Sequence, residues 1–264
     1  MARVSQMRTL IRDGRALFLA CDQGFEHGPS DFSLPNVDPQ SIVDLATRNA
    51  YTGLILLPGT AEHYYNTGNE DIPLIVKLNA KTAFHHGDPI SLQNCSVRRA
   101  VKMNATAVGY TLYPGSIHEQ EMYREFGRIV EEAHNAGLPV IAWAYPRGNT
   151  ITNELDTDTI AYSARIAAEL GADMIKLKYN HDPEGFAWIV ANAGKAKILV
   201  SGGDRIEPEH ALRAYKEALD AGASGIAVGR NAWQSETPDA FSRALARVVF
   251  ENASVEDALA EYQH

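Results

Sequence analysis

Cysteine is scarce in this sequence: Cys21 and Cys95 are the only two among 264 residues. They form neither a CxxC pair nor the spacing of a zinc site, which argues against a disulfide-rich fold and a cysteine-based metal centre. We interpret both as reduced core thiols and expect a cytoplasmic protein. Long apolar runs are also missing. The opening segment MARVSQMRTLIRDGRALFLACD has no stretch long enough for a signal peptide or a membrane span.

Positive charge is in short supply. Lysine and arginine number 24 against 33 aspartates and glutamates, so the formal net charge is −9. Nucleic acids and anionic membranes attract basic surfaces, so neither is expected as the main partner. A small anionic metabolite is compatible with this balance, because a local cluster of basic side chains can oppose the overall charge.

Several motifs that mark common enzyme classes are absent. None of the nine histidines stands in an HExxH or HxH pattern, so a dedicated metal site is not expected. The chain has no GxSxG nucleophile motif. It also has no GxGxxG after its first apolar run, which disfavours an open dinucleotide-binding sheet.

Eight short apolar runs alternate with helical patterns along the chain. Strands that alternate with helices pair in parallel through right-handed crossovers. Eight such units predict a single (β/α)8 TIM barrel domain over residues 1–264, with the active site at the carboxyl ends of the strands. An open doubly wound sheet is the alternative. The predicted strands are 16–22, 52–58, 73–79, 105–112, 138–145, 173–179, 197–202 and 225–229, and the clearest helices are 117–136, 157–171 and 208–221.

Two helices carry additional information. Asp156 precedes the helix at 157–171 and is a typical N-cap, with an apolar stripe of Ile160, Ala164, Ala167 and Ala168 behind it. A short amphipathic helix is predicted at about 254–263. We interpret it as a packing or oligomer contact.

The segment 171–180, GADMIKLKYN, places Lys176 and Lys178 in a run that otherwise looks like a buried strand. Strand alternation puts both lysines on one face and Ile175 and Leu177 on the other, so the lysines are predicted to point into the barrel. Burial and a second positive charge both lower a lysine pKa, and a free amine can attack a carbonyl carbon. One lysine as nucleophile and the other as its neighbouring charge is one interpretation; a solvated strand is the other. The residues alone do not decide which lysine reacts.

Further polar side chains follow other strands at the same end. Trp143, Tyr145 and Arg147 share one face of the fifth strand, and a tyrosine hydroxyl can transfer a proton. Asp22 stands at the tip of the first strand, where it is either a catalytic carboxylate or a turn cap. Lys77, on the third strand, also has a position from which it can line the barrel.

The seventh and eighth runs end in VSGGD and AVGRN. Glycines at these points let backbone N–H groups approach an anion closely, and Arg230 adds a charged fork. The loops after the last two strands of such barrels commonly bind phosphate. The sequence therefore predicts a phosphate site here, although turns that connect helices and strands also commonly contain glycine.

Seven segments together carry a resemblance to a known family: DQGFEHGPSDF (22–32), NCSVRRAV (94–101), AVGYTLYPGS (107–116), WAYPRG (143–148), GADMIKLKY (171–179), SGG (201–203) and AVGRN (227–231). In order and spacing they resemble the archaeal-type class I fructose-1,6-bisphosphate aldolases, the DhnA-like group of Schiff-base aldolases. The resemblance covers nearly the whole chain. It implies a phosphorylated sugar as substrate, no cofactor and no metal.

The resemblance also implies residue roles. Lys176, the first lysine of the K-x-K pair, is the expected Schiff-base nucleophile, Tyr145 the proton donor, and Asp22 the strand-1 aspartate. The family often has histidine after this aspartate, whereas Gln23 stands here and cannot carry a proton comparably. The implied substrate-binding residues are Gln23, His27, Asp31, Trp143, Arg147, Lys178, Ser201, Gly202, Gly203, Gly229 and Arg230.

The activity implied is reversible cleavage of fructose 1,6-bisphosphate to dihydroxyacetone phosphate and glyceraldehyde 3-phosphate. A related Schiff-base enzyme, such as 2-amino-3,7-dideoxy-D-threo-hept-6-ulosonate synthase, is the alternative within the superfamily. A non-catalytic phosphosugar-binding barrel is the alternative outside it. Family members are often decamers built from pentamers, so the resemblance implies a homo-oligomer.

Overall fold

Eight parallel strands close into a barrel in the computed structural model, which describes residues 2–65, 72–84 and 86–262. The strands follow chain order around the barrel, and the last pairs with the first. This confirms the predicted TIM barrel, and the open-sheet alternative is wrong. The strands are β1 (Ala16–Cys21), β2 (Gly53–Leu56), β3 (Leu74–Lys77), β4 (Ala107–Leu112), β5 (Val140–Ala144), β6 (Met174–Leu177), β7 (Lys197–Ser201) and β8 (Gly225–Val228).

Helices connect the strands and surround the barrel. A 3-10 turn over Gly28–Asp31 and a π turn over Ala61–Tyr65 lie in the first two crossovers. The helices are α1 (Ala2–Thr9), α2 (Gly24–His27), α3 (Gln40–Arg48), α4 (Pro58–Thr60), α5 (Val97–Lys102), α6 (Glu119–Asn135), α7 (Thr157–Glu169), α8 (Pro183–Asn192), α9 (Pro208–Asp220), α10 (Arg230–Trp233), α11 (Pro238–Phe250) and α12 (Val255–Tyr262).

Strand alternation separates two apolar layers. The outward residues, such as Ile175 and Leu177 of β6, pack with the helices in one large core. The inward residues, such as Phe18 of β1 and Met174 of β6, form a second, smaller core inside the barrel. Leu10, directly after α1, is fully buried in this inner core and so closes the barrel at the amino ends of the strands. The inner core leaves the opposite end free for polar side chains.

Local capping explains where α7 begins. The Asp156 carboxylate accepts a hydrogen bond of 3.0 Å from the Thr159 backbone N–H, as predicted. Ile160, Ala164 and Ala167 are buried, whereas Ala168 lies partly exposed at the edge of the stripe.

The final helix agrees with the sequence except at its end. Helix α12 covers Val255–Tyr262 and packs on α9 and α11, and residue 263 of the predicted range lies outside the described residues. None of the helices described is long and apolar enough to span a bilayer.

Candidate active site

A pocket opens at the carboxyl ends of the strands, and most of the polar side chains predicted for the site lie on its wall. Of those residues Asp31 alone is missing from the wall. The lining residues are Ala20, Asp22, Gln23, Glu26, His27, Lys77, Thr111, Trp143, Tyr145, Arg147, Lys176, Lys178, Ser201, Gly202, Gly203, Ala227, Gly229 and Arg230.

Lys176 lies deep in this pocket. The residue is 6% exposed, and its Nζ lies 5.1 Å from the centroid of the Trp143 ring. Lys176 and Trp143 are register partners on β6 and β5, which explains the contact. Burial lowers the pKa of the Lys176 amine, although the Asp22 and Glu26 carboxylates oppose the shift. Its environment therefore favours the free amine more than water does.

Lys178 points into the same pocket but lies nearer its mouth. Its Nζ donates a 2.5 Å hydrogen bond to Glu154 Oε1, and the Arg147 guanidinium contacts the other oxygen of Glu154 at 3.1 Å. The charge of Lys178 is thus matched by a carboxylate. Burial, and not the charge of Lys178, is the cause that lowers the pKa of Lys176 in this arrangement.

A third lysine contributes to the pocket from β3. Lys77 is 2% exposed, and its Nζ lies 3.7 Å from Asp22 Oδ2. This Nζ also lies 5.1 Å from the Trp143 ring centroid. Burial lowers the pKa of Lys77, and the nearby Lys176 adds to that effect, while Asp22 opposes it. Asp22 therefore pairs with a buried cation instead of capping α2, whose N-cap is Gln23.

Trp143 forms the floor between the two buried lysines. Its ring lies across Gly109 of β4, where the Cβ of any larger residue would come within 2.1 Å of the ring. Only glycine at this position lets the indole reach towards Lys77 on β3, which is the register partner of Gly109. The indole N–H and the Gln23 side-chain amide nitrogen are buried, and neither has a hydrogen-bond partner among the described residues. Both donors are therefore available to a ligand.

Tyr145 stands on the β5 face that Trp143 and Arg147 share, as strand alternation predicts. Burial and the charge of Asp22 raise the pKa of its phenol, whereas a hydrogen bond with the Ser201 side chain partly offsets the rise. The phenol therefore keeps its proton at neutral pH and can donate it.

Backbone and guanidinium groups meet at the ends of β7 and β8. Gly203 has a φ of 66°, a left-handed conformation that favours glycine, and the short helix α10 begins at Arg230. Arg230 donates a 3.1 Å hydrogen bond to the Gly203 carbonyl and pairs with Asp204 at 2.8 Å. Asp204 is mostly exposed, so an anion can replace its carboxylate.

Asp31 supports two side chains of this wall from behind. Its carboxylate contacts His27 Nδ1 at 2.7 Å and lies 3.8 Å from the Arg230 guanidinium. The structure thus places Asp31 one layer behind the pocket surface, although the sequence resemblance assigns it to substrate binding.

Some residues of the site received no role from the sequence, although several of them lie inside the motifs quoted above. Lys77 shows only strand alternation, and Glu154 lies in the loop after β5, where no pattern marks it. Asn231 follows Arg230 and holds the β7 loop with bonds from its amide to the carbonyls of Gly202 (2.7 Å) and Asp204 (3.1 Å). Glu26 and Thr111 complete the wall. These contacts join distant segments, so only the fold reveals them.

The pocket therefore combines two buried amines, a protonated phenol and two groups of cations nearer its mouth. An amine of lowered pKa can add to a carbonyl, and the phenol can serve the proton transfers. Arg230 at one side and Arg147 with Lys178 at the other can bind two anionic groups. Within the described residues, no three histidine, cysteine or acidic side chains are grouped as metal ligands.

Comparison with known proteins gives a consistent result. The family model of the DeoC/LacD family aldolases matches residues 16–235. A fructose-bisphosphate aldolase class 1 of Thermoproteus tenax is 46% identical over 247 residues, which cover 92% of this chain and 93% of the relative. A fructose-bisphosphate aldolase/6-deoxy-5-ketofructose 1-phosphate synthase of Methanocaldococcus jannaschii is 35% identical over 269 residues, which cover 95% and 86%.

Among solved structures, an archaeal fructose-1,6-bisphosphate aldolase superposes with a TM-score of 0.91 at 44% identity, over 95% of this chain and all of the other. In that structure the catalytic lysine is covalently bound to the carbinolamine intermediate of the substrate.

Proposed function

The chain belongs to the DeoC/LacD aldolase family, and we propose from this membership that Lys176 is the Schiff-base residue of a class I fructose-1,6-bisphosphate aldolase. The enzyme cleaves its substrate reversibly to dihydroxyacetone phosphate and glyceraldehyde 3-phosphate. One observation carries the assignment: the Lys176 amine is buried, with a lowered pKa, in a pocket whose wall also holds Arg147, Lys178 and Arg230.

The reaction begins with nucleophilic addition. The Lys176 lone pair attacks the C2 carbonyl carbon of the open-chain sugar, and the carbonyl oxygen takes up a proton to give a carbinolamine. Its hydroxyl group leaves as water after a second proton transfer, and an iminium remains. The iminium is the electron sink of the next step, so the enzyme needs neither a cofactor nor a metal ion.

Cleavage follows from that electron sink. Removal of the proton from the C4 hydroxyl breaks the C3–C4 bond and releases glyceraldehyde 3-phosphate. The bonding electrons move onto the iminium nitrogen and leave an enamine. Protonation at C3 and addition of water then release dihydroxyacetone phosphate and restore the free amine. We assign the protonation steps to Tyr145, because its phenol stays protonated and lines the pocket that holds the reacting lysine.

The two phosphates of the substrate match the two groups of cations. We assign the C1 phosphate to Arg230 and the backbone of Ser201, Gly202, Gly203 and Gly229, since C1 adjoins the carbon that Lys176 attacks. The C6 phosphate then lies towards Arg147 and Lys178. Gln23, His27 and Trp143 line the space between, where the sugar hydroxyls need hydrogen-bond partners. Asp22 lies on the same pocket wall as the reacting amine, and Asp31 acts through His27 and Arg230.

The experiment that tests this function is reductive trapping. Borohydride added with dihydroxyacetone phosphate should attach one adduct to the peptide that contains Lys176, as read by mass spectrometry. EDTA-treated enzyme should still cleave fructose 1,6-bisphosphate in a coupled assay. An adduct on Lys178 instead would reverse the assignment of the lysines. The absence of any adduct would favour a phosphosugar-binding barrel without catalysis.

The relatives named as fructose-bisphosphate aldolases favour cleavage over the heptulosonate synthase reaction, and the second candidate is a 6-deoxy-5-ketofructose 1-phosphate synthase activity, because the M. jannaschii relative carries that name as well. That synthase reaction uses the same lysine chemistry but different partner carbonyl compounds. The test is a direct comparison of kcat/KM for fructose 1,6-bisphosphate cleavage with that for the synthase substrates. Cleavage of the bisphosphate should be the more efficient by at least about tenfold.

Three further properties belong to this proposal. We place the enzyme in the cytoplasm, because both cysteines are free and buried and its phosphorylated substrates are metabolites of the cell interior. We take residues 1–264 as one domain, since α12 packs on α9 and α11 and the strands form one barrel. We expect a homo-oligomer, with a decamer as the form to test by light scattering.

A further inference from the structure

Lys77 is a second fully buried lysine in the barrel, and the reaction described above gives it no role. It is 2% exposed and lies on the wall of the pocket that also holds Lys176. A buried ammonium without a partner is strongly disfavoured, and a neutral apolar side chain at this position of β3 would pack with less cost. A buried ammonium at position 77 is therefore expected to have a specific partner.

The partner of Lys77 is Asp22. Asp22 Oδ2 lies 3.7 Å from Lys77 Nζ, and Asp22 is itself only 9% exposed. Lys176 has no carboxylate within 4 Å among the described residues, yet both lysines lie 5.1 Å from the centroid of one indole ring. The Asp22 carboxylate thus lies within ion-pair distance of Lys77 alone, although it also influences the buried amine of Lys176.

We propose that Lys77 is a positioning residue, which holds Asp22 in an ion pair and so prevents this carboxylate from stabilising the ammonium form of Lys176. The inference rests on the proposed Schiff-base function. Burial lowers the pKa of both lysines, and Asp22 opposes it more strongly at Lys77, which alone lies within ion-pair distance of this carboxylate. Lys77 is therefore the amine that keeps its proton, and Lys176 is left as the free amine that attacks the substrate. The distance between Lys77 and Asp22 assigns these two roles. The K-x-K pattern of β6 could not assign them, because Lys77 lies on β3.

The signs of the interactions agree with these two roles. Asp22 and Glu26 raise the pKa of Lys176, and burial lowers it by more. Removal of the Lys77 charge leaves Asp22 uncompensated, so its full effect falls on Lys176 and raises that pKa. Removal of the Asp22 charge has the opposite effect. The remaining ionisable groups on the pocket wall are Glu26, His27, Tyr145, Arg147, Lys178 and Arg230.

The experiment measures reductive trapping as a function of pH. The rate of borohydride-dependent adduct formation with dihydroxyacetone phosphate is recorded between about pH 5 and 9 for the wild type, Lys77→Met, Asp22→Asn and Lys178→Met. For Lys77→Met, the midpoint should rise by about one pH unit or more, so that trapping below the midpoint falls at least about tenfold. For Asp22→Asn the midpoint should fall.

Lys178→Met is the matched control. It removes the other lysine charge on the pocket wall, one that Glu154 already balances, and its midpoint should stay at the wild-type value even if substrate binding weakens. An unchanged midpoint in folded Lys77→Met, or an equal rise in Lys178→Met, would overturn the inference. A purely structural role for Lys77 predicts less folded enzyme with an unchanged midpoint.

Two outcomes separate the inference from the function on which it rests. If wild-type enzyme forms no adduct at any pH, the proposed function fails first. If Lys77→Met does not fold by circular dichroism, Asp22→Asn decides: a midpoint that falls supports the charge balance, and a midpoint that stays or rises contradicts it. Lys77→Arg, which keeps the charge, should retain a midpoint near that of the wild type.

Discussion

Lys176 and Lys178 lie two residues apart on one strand and point into one barrel, yet their surroundings differ. Lys176 is 6% exposed and has no carboxylate at ion-pair distance among the described residues, whereas the Lys178 side chain is 30% exposed and paired with Glu154. Two residues of a strand span about 6.6 Å. Over that distance the pocket changes from a dry site, where burial lowers the pKa of an amine, to a solvated mouth.

The difference shows that depth separates the two lysines of β6, and the proposed function gives the nucleophile to the deep one and a phosphate-binding charge to the shallow one. Depth alone does not make a nucleophile, because Lys77 is equally deep but is paired with Asp22. Arg147 and Arg230 line the pocket nearer its mouth, as Lys178 does.

The largest expected effect tests the deep lysine directly. Lys176→Ala removes the nucleophile, so it should abolish the borohydride adduct and lower kcat by on the order of 10⁵-fold. Lys178→Met should keep the adduct on the Lys176 peptide and weaken bisphosphate binding, measured as KM. If the two variants lost activity equally, or if an adduct persisted in Lys176→Ala, the contrast between the two positions would be wrong.

The next largest effect is expected for Tyr145, the proposed proton donor. Tyr145→Phe keeps the ring but removes the hydroxyl, so turnover should fall about 100- to 10,000-fold. The iminium should still form, and trapping should reach nearly the wild-type extent. Single-turnover cleavage and reductive trapping, measured on the same enzyme, check that turnover falls while iminium formation does not. Near-normal turnover in the variant would assign the proton transfers to another group.

A substitution of Arg230 tests phosphate binding near the mouth of the pocket, at the ends of β7 and β8. Arg230→Ala removes a charge-assisted contact of about 1.5–3 kcal/mol, so binding of a phosphorylated substrate should weaken roughly 10- to 150-fold. Free dihydroxyacetone, which lacks the phosphate, should show little change. Equal losses for dihydroxyacetone and its phosphate would place Arg230 away from the phosphate.

Strand alternation explains why much of this site could be predicted from the sequence. The inward faces of β5 and β6 follow from a period of two, and the eight apolar runs predict the barrel that brings them together. The pairs Lys178–Glu154 and Lys77–Asp22 could not be predicted, since each joins a strand to a separate segment. Their geometry depends on how the closed barrel places those segments, and no local pattern encodes it.

The smallest expected effect concerns Glu154, which holds the two cations at the mouth. All three side chains are at least 30% exposed, so these ion pairs are worth about 0–1 kcal/mol in solution. Glu154 and a substrate phosphate compete for the same two cations. Glu154→Gln removes the competing charge but can still accept a hydrogen bond, so the KM for fructose 1,6-bisphosphate should fall about two- to fivefold.

The controls for Glu154→Gln distinguish two roles of Glu154: competition with the substrate phosphate, and orientation of Arg147 and Lys178 for binding. Fructose 1-phosphate lacks the second phosphate, so its KM should not change, and the pH midpoint of Lys176 trapping should stay at the wild-type value because the mouth does not set it. The gain for the bisphosphate should shrink as salt is raised, since exposed charges are screened within about 8 Å at physiological ionic strength. A higher KM for the bisphosphate would mean that Glu154 orients Arg147 and Lys178 for binding, and a moved midpoint would mean that the shallow charges do reach Lys176.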